Sequence, residues 1–146
     1  MLAYKIISYD SYYRDDLIFM VLEAKDALGR VPRINPDLLD IEANYLKKGD
    51  MFWLAIDNSN RVIGSIGYNS IADTDDVILH RLYVKANLKR KGIGTSLLNT
   101  AESHIKSLGK KALLGHLGGE EYFESYSFYP KHGYEMIGDR MMRKML

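Results

Sequence analysis

Leu79-His80-Arg81-Leu82-Tyr83-Val84-Lys85-Ala86-Asn87-Leu88-Lys89-Arg90-Lys91-Gly92-Ile93-Gly94 runs an apolar strand into a short polar turn, then three cations, then Gly-x-Gly at the start of a helix. That order gathers unpaired backbone N–H groups, glycines that admit a close ligand, and positive side chains around one small volume. The helix dipole favours an anion there by roughly 0.3–1 kcal/mol and repels Lys89, Arg90 and Lys91, a conflict that a bound anion relieves. The place suits a pyrophosphate-bearing ligand held beside a strand. It is not a P-loop, because no Gly-Lys-Ser/Thr follows. Nor is it the Gly-x-Gly-x-x-Gly dinucleotide fingerprint, because Leu97 stands where the third glycine would be.

Downstream, Gly94, Leu97, Leu98, Ala101, Ile105 and Leu108 recur at helical spacing and predict a helix over Gly92–Leu108, ended by Gly109. Lys111–His116 reads as a short apolar strand parallel to one at Val77–Val84, which makes a strand–helix–strand unit. Gly118-Gly119 breaks it. Glu120–Lys131 reads as a helix with Pro130 a poor fit near its end, and Gly133 opens a last hairpin, Tyr134–Ile137 and Met141–Met145, turning at Gly138-Asp139.

Upstream, Tyr4–Tyr9 is a first strand. A helix capped by Asp10 or Ser11 carries Leu17, Met20, Val21, Ala24 and Leu28 on one stripe up to Gly29. A loop runs from Gly29 to Pro36, and Asn35-Pro36 starts a second helix through Leu46, stopped near Gly49. Met51–Ile56 and Arg61–Tyr68 form a hairpin about Asp57-Asn58-Ser59-Asn60, and the polar stretch Ile71–Asp76 turns the chain into Val77–Val84. The elements add up to one mixed α/β domain over residues 1–146.

The totals bound the function. A chain of 146 residues, 47% hydrophobic and 27% charged, suits one globular core. A formal charge of +1 gives no overall field for nucleic acid or anionic lipid. The absence of cysteine excludes disulfides and thiolate metal sites, and the four histidines are too scattered for metal-ligand spacing, so no metal is expected. The N-terminus has no signal-peptide core and no apolar run approaches ~18 residues, so a soluble cytoplasmic protein without membrane contact is expected.

Leu82-Tyr83-Val84 followed by Lys89-Arg90-Lys91-Gly92-Ile93-Gly94 resembles motif A of the GNAT superfamily of acetyl-CoA-dependent N-acetyltransferases, with Lys89 in place of the usual Arg or Gln. Phe128-Tyr129-Pro130-Lys131-His132-Gly133-Tyr134 is similar to that family's motif B, although Pro130 replaces a polar residue. Tyr122 and Ser125 stand about where members often carry Asn and Ala. The resemblance spans Tyr4 to Met145. It implies a mixed, mostly antiparallel sheet of about six or seven strands with a central splayed parallel pair, flanked by about four helices.

The same resemblance implies roles. Pantetheine would enter between the splayed strands and contact Leu82, Tyr83 and Val84, with the Leu82 backbone amide polarising the thioester carbonyl. Lys89, Arg90, Lys91, Gly92, Ile93, Gly94 and Thr95 would hold the acetyl-CoA pyrophosphate. Tyr129 matches the tyrosine that protonates the departing thiolate. The general base stays open between His80 and His116, with Glu120 and Glu121 behind them and a water chain as an alternative. Arg30 and Arg33, in a loop that shapes the acceptor pocket in this family, are candidates to clamp an acceptor carboxylate.

These features point to acetyl transfer onto a primary amine of a small molecule, peptide or protein, by direct attack in a ternary complex. The alternative on the same fold is a non-catalytic acyl-CoA-binding or sensor domain. A nucleic-acid module using Lys85–Lys91 is disfavoured by the near-neutral total charge and by the lack of interleaved aromatics. The final hairpin offers edge strands through which a homodimer would pair.

Overall fold

The structure, a computed structural model, describes residues 2–117 and 123–146. The predicted glycine break at 118–119, the helix start at Glu120 and the candidates Glu120, Glu121 and Tyr122 lie outside the described residues. Among the described residues seven strands form one sheet: β1 (Tyr4–Ser8), β2 (Phe52–Asp57), β3 (Val62–Ser70), β4 (Asp76–Val84), β5 (Ala112–His116), β6 (Glu135–Met136) and β7 (Met141–Met145). Their order is β1-β2-β3-β4-β5-β7-β6, and every neighbouring pair is antiparallel except β4 with β5. The expected mixed sheet with one central parallel pair is therefore the observed one.

Among the described residues four α-helices cover it: α1 (Arg14–Ala27), α2 (Ile41–Asn44), α3 (Ile93–Ser107) and α4 (Phe123–Lys131). Both sheet faces are buried, which explains why β2 is apolar at successive positions rather than alternately. Phe52, Leu54 and Ile56 pack with Leu17, Met20 and Val21 of α1, whereas Trp53 and Ala55 join Leu97, Leu98 and Ala101 of α3. Helix α3 buries the stripe predicted from its spacing, at Leu97, Leu98, Ala101 and Ile105.

Three local readings need correction. The single helix expected from Asn35 to Leu46 is broken into a 3₁₀ turn at Pro36–Leu39, the short α2 and a second 3₁₀ turn at Leu46–Lys48. Asp40 causes the break: its backbone is non-helical (φ −147°, ψ 80°) while its carboxylate caps the Ala43 N–H at 3.0 Å. The first helix begins later than Ser11, after a 3₁₀ turn at Ser11–Tyr13 that the Asp10 carboxylate caps. The last hairpin keeps only Glu135 and Met136 in its first strand. Tyr134 turns inward instead, its hydroxyl donating to Glu102 at 2.7 Å.

Candidate active site

Parallel pairing of β4 with β5 covers Asp76–Ala112, Val77–Leu113, Ile78–Leu114 and Leu79–Gly115, and then stops. Strand β4 continues to Val84 with only β3 beside it, while β5 stays with β7 through His116–Met141. The two central strands thus part after Leu79 and Gly115. A bulge in β4 falls at the same level: Ser65 faces Tyr83 and Gly67 faces His80, so Arg81 and Leu82 together oppose Ile66 alone. Arg81 takes the left-handed conformation that this requires (φ 56°), an uncommon state for a residue with a Cβ.

The bulge is held by the fully buried Ser65, whose hydroxyl donates to the Arg81 carbonyl at 2.7 Å. The Arg81–Leu82 peptide is trans, as every described peptide is, so its N–H points opposite to its C=O. With the carbonyl bonded to Ser65, the Leu82 N–H points away from that hydroxyl.

Two cavities meet at this parting. The larger, about 500 Å³, lies against the start of α3 and is lined by Leu82, Val84, Lys89, Arg90, Gly92, Ile93, Gly94, Thr95, Phe128, Tyr129 and His132 among others. The first intrahelical bond of α3 runs from the Ser96 N–H to the Gly92 carbonyl at 2.9 Å, so the N–H groups of Ile93, Gly94 and Thr95 precede any helical partner. Gly92 caps the helix at φ 83°, which favours glycine, and a Cβ on Gly94 would stand 3.5 Å from Phe128 at the cavity wall. The Thr95 hydroxyl is 3.0 Å from His132 Nε2, and His132 Nδ1 is 2.9 Å from the Phe128 carbonyl. That carbonyl can only accept, so Nδ1 carries a proton.

The smaller cavity, about 340 Å³, opens on the other side of the parting and is lined by Arg30, His80, Arg81, Tyr83 and His116, among others. Leu82, Lys89, Glu124, Ser125 and Tyr129 line both cavities. Lys89 and Glu124 form an ion pair at 2.8 Å across this shared boundary. Arg81 is anchored by Asp37, with guanidinium–carboxylate distances of 2.9–3.2 Å, and the Tyr45 hydroxyl donates to the same carboxylate. Hydrogen bonds from Arg81 and Tyr45 hold the Asp37 carboxyl below its ordinary pKa although burial opposes them.

Tyr129 is 7% exposed, and burial, reinforced by nearby Tyr83, pushes its hydroxyl above the ordinary phenol value. Burial first, then the positive charge of Arg81, lowers the pKa of His80, so its imidazole is neutral at pH 7. Among the described residues no group of three or more His, Cys, Asp or Glu side chains is placed to hold a metal ion. No helix among them is long and apolar enough to cross a membrane.

The structure brings most of the sequence-derived candidates to these two cavities. Lys91 lines neither. Tyr83 faces the smaller cavity rather than the larger, and its ring carries the Arg30 guanidinium at 6.0 Å from its centroid. Arg33 also lines neither cavity: its side chain is exposed, and its carbonyl accepts from the buried Lys25 ammonium at 2.8 Å. Sequence reasoning missed Ser65, Asp37, Lys25, Glu124 and His132. His132 lies inside the motif B resemblance and was within reach. The others depend on pairings across 8 to 44 residues, from Lys25 with Arg33 and Ser65 with Arg81 to Lys89 with Glu124 and Arg81 with Asp37, that no local pattern announces.

A family profile described as "Acetyltransferase (GNAT) domain" matches residues 48–136, and the chain belongs to that family. Among curated relatives, Probable N-acetyltransferase 14 of Xenopus tropicalis is 29% identical over 80 residues, covering 55% of this chain and 39% of that protein. Probable N-acetyltransferase camello of the same species is 30% identical over 82 residues, covering 55% of this chain and 37% of that protein. The matched region thus spans well under half the length of these relatives. Among solved structures, an acetyltransferase of the GNAT family from Staphylococcus aureus superposes over 99% of both chains with a TM-score of 0.88 at 24% identity. PaiA N-acetyltransferase from Thermoplasma acidophilum, in complex with coenzyme A, superposes over 99% of this chain and 100% of its own with a TM-score of 0.79 at 22% identity. Both share the fold described above.

Proposed function

We infer that the domain transfers the acetyl group of acetyl-CoA to a primary amine by direct attack in a ternary complex. The observation that carries this reading is the parting of β4 and β5 beyond Leu79 and Gly115, which joins two cavities at Leu82 and Tyr129. A two-substrate reaction needs such a junction, with one reactant entering from each side.

The residues present fit acetyl-CoA in the larger cavity. The leading N–H groups of α3, the open backbone at Gly92 and the cations Lys89 and Arg90 suit a diphosphate. Leu82 and Val84 offer strand backbone to an amide-bearing arm. Relatives solved with coenzyme A or acetyl-CoA share this fold, which supports the assignment.

The chemistry follows from the groups at the junction. The acceptor nitrogen bonds to the acetyl carbon, the carbon–sulfur bond breaks, and the sulfur leaves with the electron pair. Negative charge that gathers on the carbonyl oxygen meets the Leu82 N–H, held in that direction by Ser65. Tyr129 gives its proton to the thiolate. Burial raises the Tyr129 hydroxyl, and it acts in the same direction on a thiol bound in the same cavity. Neutral His80, or His116 beside it, takes the proton that the amine loses.

The test is incubation with acetyl-CoA and a panel of primary amines, following free thiol. Thiol release that depends on an amine is the expected result. Acetyl-CoA binding without release from any amine would make the chain an acyl-CoA-binding domain.

A further inference from the structure

We propose that His132 takes up a proton as acetyl-CoA docks, and that this proton frees the Thr95 hydroxyl to donate to the diphosphate. This rests on the placement of acetyl-CoA in the larger cavity and adds to it a positioning residue and a linked proton.

His132 joins two helix ends of opposite polarity. It directly follows α4, and its Nδ1 is 2.9 Å from the Phe128 carbonyl in the last turn of that helix. Its Nε2 is 3.0 Å from the Thr95 hydroxyl in the first turn of α3. A helix C-terminus stabilises a cation, whereas a helix N-terminus stabilises an anion and opposes a cation. The imidazole also lies against the Phe128 ring, with centroids 4.4 Å apart and planes inclined by 34°, and an aromatic face attracts a cation.

The proton count at this pair decides what Thr95 can offer. Because the Nδ1–H is committed to the Phe128 carbonyl, a neutral ring leaves Nε2 as an acceptor. Thr95 has a single hydroxyl proton, and Nε2 then claims it, so the hydroxyl shows only lone pairs to the cavity that both residues line. Those lone pairs repel a diphosphate oxygen. A charged ring reverses the bond: Nε2–H donates to the Thr95 oxygen, and the hydroxyl proton is released towards an anion beside the leading N–H groups of α3.

The surroundings set when the proton is taken. Among the described residues Arg90 and Lys131 line the same cavity, as do Lys89 and Glu124, which pair with each other at 2.8 Å. Tyr129 lines it too, with a hydroxyl that burial keeps protonated. Behind His132, next to Gly133, Lys144 of β7 is paired with Glu102 at 3.1 Å. Arg90, Lys131 and the start of α3 oppose a further positive charge until an anion arrives. A diphosphate reverses that field and draws a proton from the medium onto Nε2. By linkage the same proton tightens acetyl-CoA, so affinity rises as pH falls.

Calorimetric titration of acetyl-CoA into the full chain tests this, with each pH run in buffers of low and high ionisation enthalpy so that the heat reports protons taken up. His132→Asn keeps a donor for the Phe128 carbonyl and His132→Gln a donor for Thr95, but neither carries charge. Wild type should take up more protons than either variant, a difference that cancels protons exchanged by acetyl-CoA itself. Its affinity should gain about tenfold over theirs between about pH 8 and pH 6. Equal uptake in wild type and both variants would overturn the proposal. In wild type alone, one of the four histidine NMR signals should move towards its charged form when acetyl-CoA is added at constant pH. Four unmoved signals would overturn the proposal even where no variant folds. A wild type that does not bind acetyl-CoA would instead remove the placement on which this rests.

Discussion

Tyr129 packs its ring against the bare Cα of Gly115: a Cβ built there would stand 3.8 Å from the hydroxyl-bearing ring carbon and 3.9 Å from both of its neighbours. Gly115 is also the last residue of β5 that pairs with β4. One residue thus marks the opening of the sheet and seats the proposed acid. Gly115→Ala places its methyl at an ordinary contact distance and should leave turnover near wild type. Gly115→Val pushes branches into the ring and should lower kcat by about a hundredfold, the order expected when a reacting group moves by an ångström. Steady-state kinetics on both variants checks this, and equal rates would detach Tyr129 from the chemistry.

Removing the hydroxyl itself is the complementary change. Tyr129→Phe should lower kcat by about a hundredfold or more, at the modest end of general acid catalysis, with acetyl-CoA affinity within about twofold of wild type. Since burial raises the Tyr129 pKa, the hydroxyl keeps its proton past pH 10, and no loss of rate below that pH should trace to it. An alkaline limb present in wild type and missing from Tyr129→Phe would contradict this.

His80 sets the expectation on the acid side. Its pKa is lowered, so a base at this position loses function only as pH falls through a value below the ordinary histidine value of about 6.5. The rate should level off above that point, and His80→Gln should remove the limb. A limb that persists unchanged in His80→Gln transfers the role to His116 or to water.

Ser65 gives a test of orientation without touching either cavity. Its hydroxyl is the anchor of the Arg81 carbonyl, and losing it leaves a buried acceptor short of a partner at a cost of about 1–3 kcal/mol. Ser65→Ala should lower kcat while the KM for acetyl-CoA hardly moves, because what is lost is the aim of the Leu82 N–H in the transition state. A change confined to thermal stability would make Ser65 only structural.

How legible all this was in the chain depended on the distance over which information acts. The periodicity of Leu97, Leu98, Ala101 and Ile105 gave α3, and the order of cations and glycines before it located the larger cavity. The hairpin turn at Asp57–Asn60 gave β2 and β3 in sequence. What stayed hidden needed contacts between remote residues. The bulge at Arg81 has no glycine to announce its positive φ, because Ser65 and Asp37 hold it from 16 and 44 residues away. The break in the second helix turned on whether Asp40 caps or continues, which helical spacing alone does not decide. Arg30, His80 and His116 were legible singly, but the smaller cavity they share was not, since its walls come from the chain after α1 together with β4, β5 and α4.

The central claim is that acetyl-CoA docks where α3 begins and extends towards the gap between β4 and β5. Calorimetric titration of acetyl-CoA into wild type, Gly94→Ala and Gly94→Glu tests it most directly. A Cβ at this helical position would make ordinary contacts, 3.5 Å from Phe128 and 3.6 Å from Val84, so the fold tolerates it. Wild type and Gly94→Ala should bind with similar heats. Gly94→Glu, which fills the diphosphate place with a like charge, should give no binding heat while its thermal melt stays intact. Undiminished affinity in Gly94→Glu would contradict the account.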